Sequence, residues 1–262
     1  MIIIIVIFFI VSIILSMVGF GGGVLYVPLL LAFGYGFQAS STISLFLITV
    51  TGLSAFLRFK RAKLVDLQLA FVMEFFTDIG AFIGGFTSVH FHEEYLKILF
   101  GILLITATIL LLNTQNKKAG KKSLKTGFGY WHRNFNGSHY SISIPLIIPV
   151  TFTIGYLAGL LGVGGGFMKI PIMVLWFGVP AKIAIATSSL MVGLTGALGL
   201  GGHLFSSALN WRLAVELGIV VFIGGQIGSK ISIGLSEKKI KTVLAYILLI
   251  TGAYMIFRSV FL

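Results

Sequence analysis

A glycine-rich motif occurs twice in this chain, each time inside a long apolar stretch. The first copy reads Gly19-Phe20-Gly21-Gly22-Gly23 and precedes Pro28, and the second reads Gly162-Val163-Gly164-Gly165-Gly166 and precedes Pro171. Irregular backbone inside a bilayer is tolerated only where protein buries it or where it lines a cavity. The two motifs therefore predict two helices that are broken inside a membrane and that frame a site for a small solute.

The composition supports a membrane setting. The chain is 57% hydrophobic and only 10% charged, and its mean hydropathy is +1.07, whereas globular proteins are about 25% charged. The apolar runs are continuous rather than alternating, which favours helices over a β-barrel. We therefore predict an all-α polytopic membrane protein.

The apolar segments divide into two similar halves. The first half is residues 1–113, the second is 144–262, and a basic stretch, 114–143, is predicted to be a cytoplasmic linker loop. Short matches recur in the same order in both halves, such as Ile79-Gly80 and Ile223-Gly224, which indicates an internal repeat. The eight predicted segments lie at about 2–35, 38–57, 67–89, 95–113, 144–178, 183–205, 212–235 and 239–261.

The two halves can run parallel or inverted, depending on whether segments 2–35 and 144–178 cross once or fold back at their glycines. Cytoplasmic loops collect Lys and Arg. If the segments fold back, fourteen basic residues share one face and three the other, whereas single crossings divide them twelve against five. The charge count thus favours inverted repeats, with both termini on the non-cytoplasmic side.

The glycine motifs are candidates for binding an anion. A helix that restarts after such a break presents free N–H groups and the positive end of its dipole, and this combination favours negative ligands. Tight packing between helices is the alternative use of small residues in membranes. The candidate binding glycines are Gly21, Gly22, Gly23, Gly164, Gly165 and Gly166.

Hydroxyl groups and one lysine lie near these motifs in the sequence. Hydroxyls could donate to an oxyanion, or they could bond the backbone of their own helix. Lys169 could strengthen an anion site, or its side chain could extend to the membrane surface. The candidate hydroxyls are Ser40, Ser41, Thr42, Thr187, Ser188 and Ser189.

Two acidic residues lie inside the third segment, where charges are rare and often functional. Glu74 and Asp78 are four residues apart, on one helix face, and could carry a coupling proton or pair with a basic residue such as Arg58. His203 is expected near the membrane surface. No pattern for a metal site, a catalytic set or a nucleotide loop is found, so we predict no cofactor, no catalysis and no nucleic-acid partner.

The duplicated motif also carries a family resemblance. Two halves that each open with a G-x-G-G-G…P element, together with Gly178-Val179-Pro180 and the following 184–190, resemble the TauE/SafE family of membrane permeases. The first-half counterpart, Gly36-Phe37-Gln38, lacks the proline. The resemblance implies transport of sulfite or organosulfonates such as sulfoacetate, outward across a bacterial inner membrane.

The sequence as a whole predicts a secondary transporter of small anions that works by alternating access. The alternative is a scaffold or sensor subunit whose basic 114–143 loop docks a soluble partner. A membrane-embedded enzyme is the third interpretation, and it has no nucleophile or metal set to support it. The expected partners are an anionic solute and the lipid bilayer, and a homo-oligomer is left open.

Overall fold

The computed structural model describes residues 2–115, 129–205 and 209–235, together with 242, 246, 249–254 and 257. Most of the predicted segment 239–261 and five of the six basic residues of the 114–143 stretch lie outside the described residues. The elements in chain order are α1 (Ile2–Met17), α2 (Gly23–Ala32), α3 (Phe37–Arg61), α4 (Leu67–Thr87), α5 (Glu93–Gln115), β1 (Tyr130–Phe135), β2 (Ser138–Ser143), α6 (Ile144–Leu161), α7 (Gly166–Leu175), α8 (Ala181–Leu204) and α9 (Trp211–Gly234).

The fold is mostly helical, as predicted. Within the described part of the chain, five helices are long and apolar enough to cross a membrane: α3, α4 with the short turn that follows it, α6, α8 and α9. Large apolar side chains such as Phe71 and Phe75 on α4 are exposed, as expected for a helix face in contact with lipid. The protein is therefore a multi-pass helical membrane protein.

Both glycine motifs interrupt a helix. The first interruption separates α1 from α2 and the second separates α6 from α7, so that each long apolar segment becomes a longer and a shorter helix. Three glycines in each motif adopt positive φ, between 69° and 109°, a region that strains residues carrying a Cβ. Glycine is thus required at these breaks for backbone reasons.

In the first half, the chain reverses direction at the break. Helices α1 and α3 both run parallel to α9, since their contacts advance together along each pair, whereas α2 returns along α3. The contacts are Ser12 with Gly224, Ser16 with Gly228, Phe46 with Gly218, Ser54 with Gln226 and, between α2 and α3, Tyr26 with Thr51.

The second break shows the same relation among α6, α7 and α8 of the second half and α4 of the first half. Helices α6 and α8 both run parallel to α4, and α7 returns along α8. The contacts are Thr77 with Gly155, Ala81 with Gly159, Glu74 with Thr195, Phe82 with Gly202 and, between α7 and α8, Lys169 with Thr195.

Helices α3 and α8 cross at the centre of the molecule. Gly52 lies against Gly193, and Thr49 lies against Gly196, so residue numbers rise along one helix as they fall along the other. The two helices, which occupy corresponding places in the two halves, are therefore antiparallel. Glycines at the crossing allow the backbones to approach closely.

The predicted linker loop contains a β-hairpin. Strands β1 and β2 pair antiparallel, from Tyr130 opposite Ser143 to Phe135 opposite Ser138. The connecting residues Asn136 and Gly137 both have positive φ, which is the requirement of a tight two-residue hairpin turn. The Asn-Gly pair was a readable signal that the loop interpretation missed.

Asp66 fastens this hairpin to the start of α4. Its carboxylate accepts a 2.7 Å bond from Arg133 Nη2 and further bonds from Tyr140 and from the Leu69 N–H. Burial alone would raise the pKa of Asp66, but the bonds from Arg133, Tyr140 and Leu69 outweigh it and hold the pKa below its ordinary value. Asp66 N–H also donates to Thr187 on α8, so one residue joins the hairpin to two membrane helices.

Replacing Asp66 with asparagine should release the hairpin while keeping the helix cap, since asparagine caps as well as aspartate. Losing charged hydrogen bonds worth about 1.5–3 kcal/mol should speed amide exchange across Tyr130–Ser143 by roughly tenfold or more. Hydrogen exchange followed by mass spectrometry measures this, with His139→Ala, an exposed site on β2, as the control. Equal exchange in both variants would contradict the role of Asp66.

The same contact has a defined pH dependence. The folded protein lowers the pKa of Asp66 below its ordinary value of about 3.9. The contact therefore stabilises the protein fully above that pH, and this stabilisation is lost as the pH falls through the lowered pKa. Exchange in the hairpin should therefore accelerate in strong acid in the wild type and be less sensitive to acid in Asp66→Asn.

Candidate functional site

The two glycine turns meet inside the protein. A Cβ added to Gly23 would lie 2.6 Å from Cα of Val163, and one added to Gly166 would lie 3.1 Å from the carbonyl oxygen of Gly19. The residues of both turns are buried. Glycine is needed here both for the backbone conformation and for the close approach of the two turns. The alternative use of small residues, tight packing between helices, therefore holds for these contacts.

Two half-helices begin where the turns meet. The first N–H groups of α2 with an acceptor are those of Leu25 and Tyr26, which bond the Gly22 carbonyl. In α7 the corresponding groups are Met168 and Lys169, which bond Gly165. Among the described residues, no acceptor is found for the N–H groups of 21–24 or 164–167, so two positive helix ends converge at one place.

Serines of each half hold the broken helix of the other half. Ser44 Oγ donates to the Gly162 carbonyl at 2.7 Å, and Ser188 Oγ donates to the Gly19 carbonyl at 3.0 Å. Ser41 Oγ donates to the Leu161 carbonyl at 3.3 Å. Ser41 and Ser188 therefore bond the backbone across the repeat boundary, which neither of the sequence-based alternatives described.

The other candidate hydroxyls have different surroundings. Thr42 and Ser189 donate to carbonyls of their own helices, and Thr187 accepts from the Asp66 N–H. Ser40 is fully buried, and its Oγ has no partner among the described residues. Of the six hydroxyls, Ser40 is thus the one without any hydrogen-bond partner among the described residues.

Lys169 is fully buried and therefore does not extend to the membrane surface. Its Nζ donates to both carboxylate oxygens of Glu74, at 2.8 and 3.0 Å, and to Thr195 Oγ1 at 2.6 Å. Thr195 also donates to Glu74. The three donors of the ammonium group are thus used inside the protein, and its charge is balanced by Glu74.

The sequence suggested Arg58 as an example of a basic partner for Glu74, but the structure gives Glu74 a different partner. Glu74 pairs with Lys169, whereas the Nε of Arg58 is buried without an acceptor among the described residues. The place of His203 near the membrane surface stays a prediction, but its side chain does not face outwards. Its side chain is fully buried, and Nε2 lies 2.9 Å from the Gly159 carbonyl, where it joins α8 to α6.

Long apolar helices around two interrupted helices that meet inside the protein are the architecture of membrane transporters. Among the described residues, no three His, Asp or Glu side chains are grouped closely enough to hold a metal ion. The chain belongs to the sulfite exporter TauE/SafE family, whose model matches residues 4–255.

Similar proteins carry names of the same kind. The probable membrane transporter protein YunE of Bacillus subtilis (strain 168) is 28% identical over 255 residues, covering 94% of this chain and 93% of that protein. The probable membrane transporter protein ORF9 of a Sinorhizobium species is 27% identical over 233 residues, covering 87% and 81%. No solved structure matches the chain. The protein is a membrane transporter.

Proposed function

We propose that this transporter carries small anions, sulfite or an organosulfonate such as sulfoacetate, outward across a bacterial inner membrane. The observation that carries the proposal is the convergence of the α2 and α7 N-termini, where eight N–H groups have no acceptor among the described residues. An anion between the two turns would accept from these groups and interact favourably with both helix dipoles.

The proposed contacts come from the backbone more than from charged side chains. Since Glu74 balances Lys169, the positive potential at the turns comes from the glycine N–H groups of Gly21–Gly23 and Gly164–Gly166. Ser40 adds a hydroxyl donor from α3. Backbone N–H groups can donate to any oxyanion of suitable size, which suits the tetrahedral and pyramidal sulfur oxyanions of the family.

We further propose eight transmembrane segments in two inverted repeats, with the first segment of each repeat folding back at its glycines. The antiparallel crossing of α3 and α8 supports inversion, because corresponding helices of parallel repeats run the same way. Two hydrogen bonds show the same correspondence. Ser44 of the first half bonds the Gly162 carbonyl of the second motif, and Ser188 of the second half bonds the Gly19 carbonyl of the first motif.

Labelling of single cysteines tests the inversion, since the chain has no cysteine of its own. Gly36 and Lys182 are exposed and lie at corresponding turns, before α3 and at the start of α8. With inverted repeats, Gly36→Cys and Lys182→Cys should react with an impermeant thiol reagent from opposite sides of the membrane. Labelling of both from one side would contradict inversion and favour single crossings.

The tight closure of the turns supports alternating access as the mechanism. The turns touch each other and the α3–α8 crossing, since added Cβ atoms on Gly164 would lie 2.8 Å from Ile48 Cγ2 and 2.9 Å from Val192 Cγ1. An anion enters when the turns separate towards one side of the membrane, and it leaves when they separate towards the other.

Uptake into proteoliposomes tests the proposal. Purified protein is reconstituted, and entry of labelled sulfite, sulfoacetate, sulfate and chloride is compared with that in empty vesicles. We expect sulfite or sulfoacetate to enter faster than chloride. Failure of every anion to enter faster than in empty vesicles would overturn the proposal and favour the scaffold alternative.

A further inference from the structure

A buried group of charged side chains lies one helical turn beyond the second glycine turn. Lys169 on α7 and Glu74 on α4 are fully buried and paired, and Asp78 lies one turn further along α4. We propose that Lys169, Glu74 and Asp78 form a proton-binding site that is occupied at neutral pH and is linked to anion binding at α7.

The composition of the group requires a proton. It contains two carboxyl groups and one ammonium group, so without a proton it would hold a net negative charge away from water, which is costly. Glu74 and Asp78 are one helical turn apart on the same face of α4, so their carboxyl groups are neighbours. Two neighbouring carboxylates repel each other away from water, so one of the pair holds a proton.

The free oxygen of Asp78 points to the same conclusion. Asp78 Oδ1 is buried and has no partner among the described residues. An ionised carboxylate left without a donor is far more costly than a neutral acid in the same place. Asp78 itself is only partly buried, whereas Glu74 and Lys169 are covered completely, so Asp78 is the outermost member of the group.

The corresponding helices α2, α3 and α9 show that the fold does not need these charges. At the place corresponding to Lys169 and Thr195, Tyr26 bonds Thr51 at 3.0 Å. The positions corresponding to Glu74 and Asp78 are Gly218 and Phe222. A neutral hydrogen bond therefore suffices on the same scaffold, and the charged version has a purpose other than packing.

Few other titratable groups face this site. Helix α6 carries only Tyr156, and α7 carries only Lys169. The ionisable groups of α5 with described side chains are in its first turns, and those of α8 are near its two ends. They are Glu93, Glu94, Tyr95 and Lys97 on α5, and Lys182 and His203 on α8.

The linkage to the anion rests on the proposed function. Lys169 is in the first turn of α7, beside the N–H groups that would receive the anion. With the proton bound the group is neutral, and without it the group is negative and repels an anion. Proton and anion binding should therefore favour each other, and by linkage each raises the affinity for the other equally.

Infrared difference spectroscopy tests the proton site without any transport. At about pH 8, where ordinary carboxyl groups are ionised, the wild type should show the C=O stretching band of a buried carboxylic acid. The band should disappear in Asp78→Asn, where Lys169 balances Glu74, and should persist in the double variant Glu74→Gln/Lys169→Met, where Asp78 has no cation beside it. Absence of the band from the wild type, or its persistence in Asp78→Asn, would overturn the proton site.

Transport of sulfoacetate tests the linkage, since its charge is constant between about pH 6 and pH 8. A sulfoacetate gradient should move protons in the same direction in wild-type proteoliposomes, detected with an internal pH dye, and Asp78→Asn should move sulfoacetate without protons. Proton movement that is unchanged in Asp78→Asn overturns the linkage. A wild type that moves no sulfoacetate overturns the proposed substrate and the linkage with it, while the infrared band still decides the proton site.

Discussion

Replacing Glu74 with alanine is expected to destabilise the folded protein by about 3–5 kcal/mol, the usual cost of removing one partner from a buried ion pair. The change leaves the Lys169 ammonium group buried with a single remaining acceptor, Thr195 Oγ1. The double variant Glu74→Gln/Lys169→Met removes both charges and should be close to the wild type in stability. Thermal unfolding in detergent measures all three proteins.

An exposed pair provides the matched control. Arg212 and Glu216 also form an ion pair, but their side chains are 87% and 36% exposed. Glu216→Ala should change the unfolding temperature very little, because water replaces the lost partner. If Glu74→Ala and Glu216→Ala unfold at the same temperature, the buried pair does not stabilise the protein more than the exposed pair does.

A single methyl group at Gly23 is expected to block transport. Its Cβ would lie 2.6 Å from both Cα and the carbonyl oxygen of Val163, and the backbone of the opposite turn cannot rotate away as a side chain could. Overpacking of this kind costs about 1–3 kcal/mol, which disfavours the closed arrangement roughly 5- to 150-fold. The rate of anion uptake in proteoliposomes should fall by a similar factor.

Gly201→Ala is the control for Gly23→Ala. Gly201 is also helical, and its added Cβ would first meet the Phe82 ring at 3.8 Å, which is ordinary contact. Alanine is favoured over glycine inside a helix, so this variant should fold and transport normally. Equal uptake rates for the two variants would show that contact between the turns is not needed for transport.

The class of fold and the position of the breaks could be predicted because they depend on local properties. The length and continuity of the apolar runs define spanning helices, and the glycines mark where a helix must stop. The β-hairpin was missed although Asn136-Gly137 indicated it, because the basic character of the surrounding stretch was given more weight.

The partners of the buried polar residues could not be predicted in the same way. Glu74 and Lys169 are 95 residues apart, and which helices pack side by side depends on the whole bundle. Ser44 holds Gly162 across the repeat boundary, 118 residues away in the sequence, and no local pattern indicates that contact. The burial of His203 could not be predicted from its place at the end of an apolar segment, because it depends on how α4 and α6 pack against that end of α8.

The most direct test of a site between the glycine turns compares the wild type with Gly22→Leu and Gly165→Leu. Both positions have positive φ, 109° and 70°, so leucine strains the backbone whose N–H groups would hold the anion. Flux of labelled sulfite and sulfoacetate is measured in proteoliposomes that hold equal amounts of folded protein. We expect the wild type to move at least one of these anions and both variants to lose that flux. Unchanged flux in both variants, for every anion that the wild type moves, would contradict a site between the glycine turns.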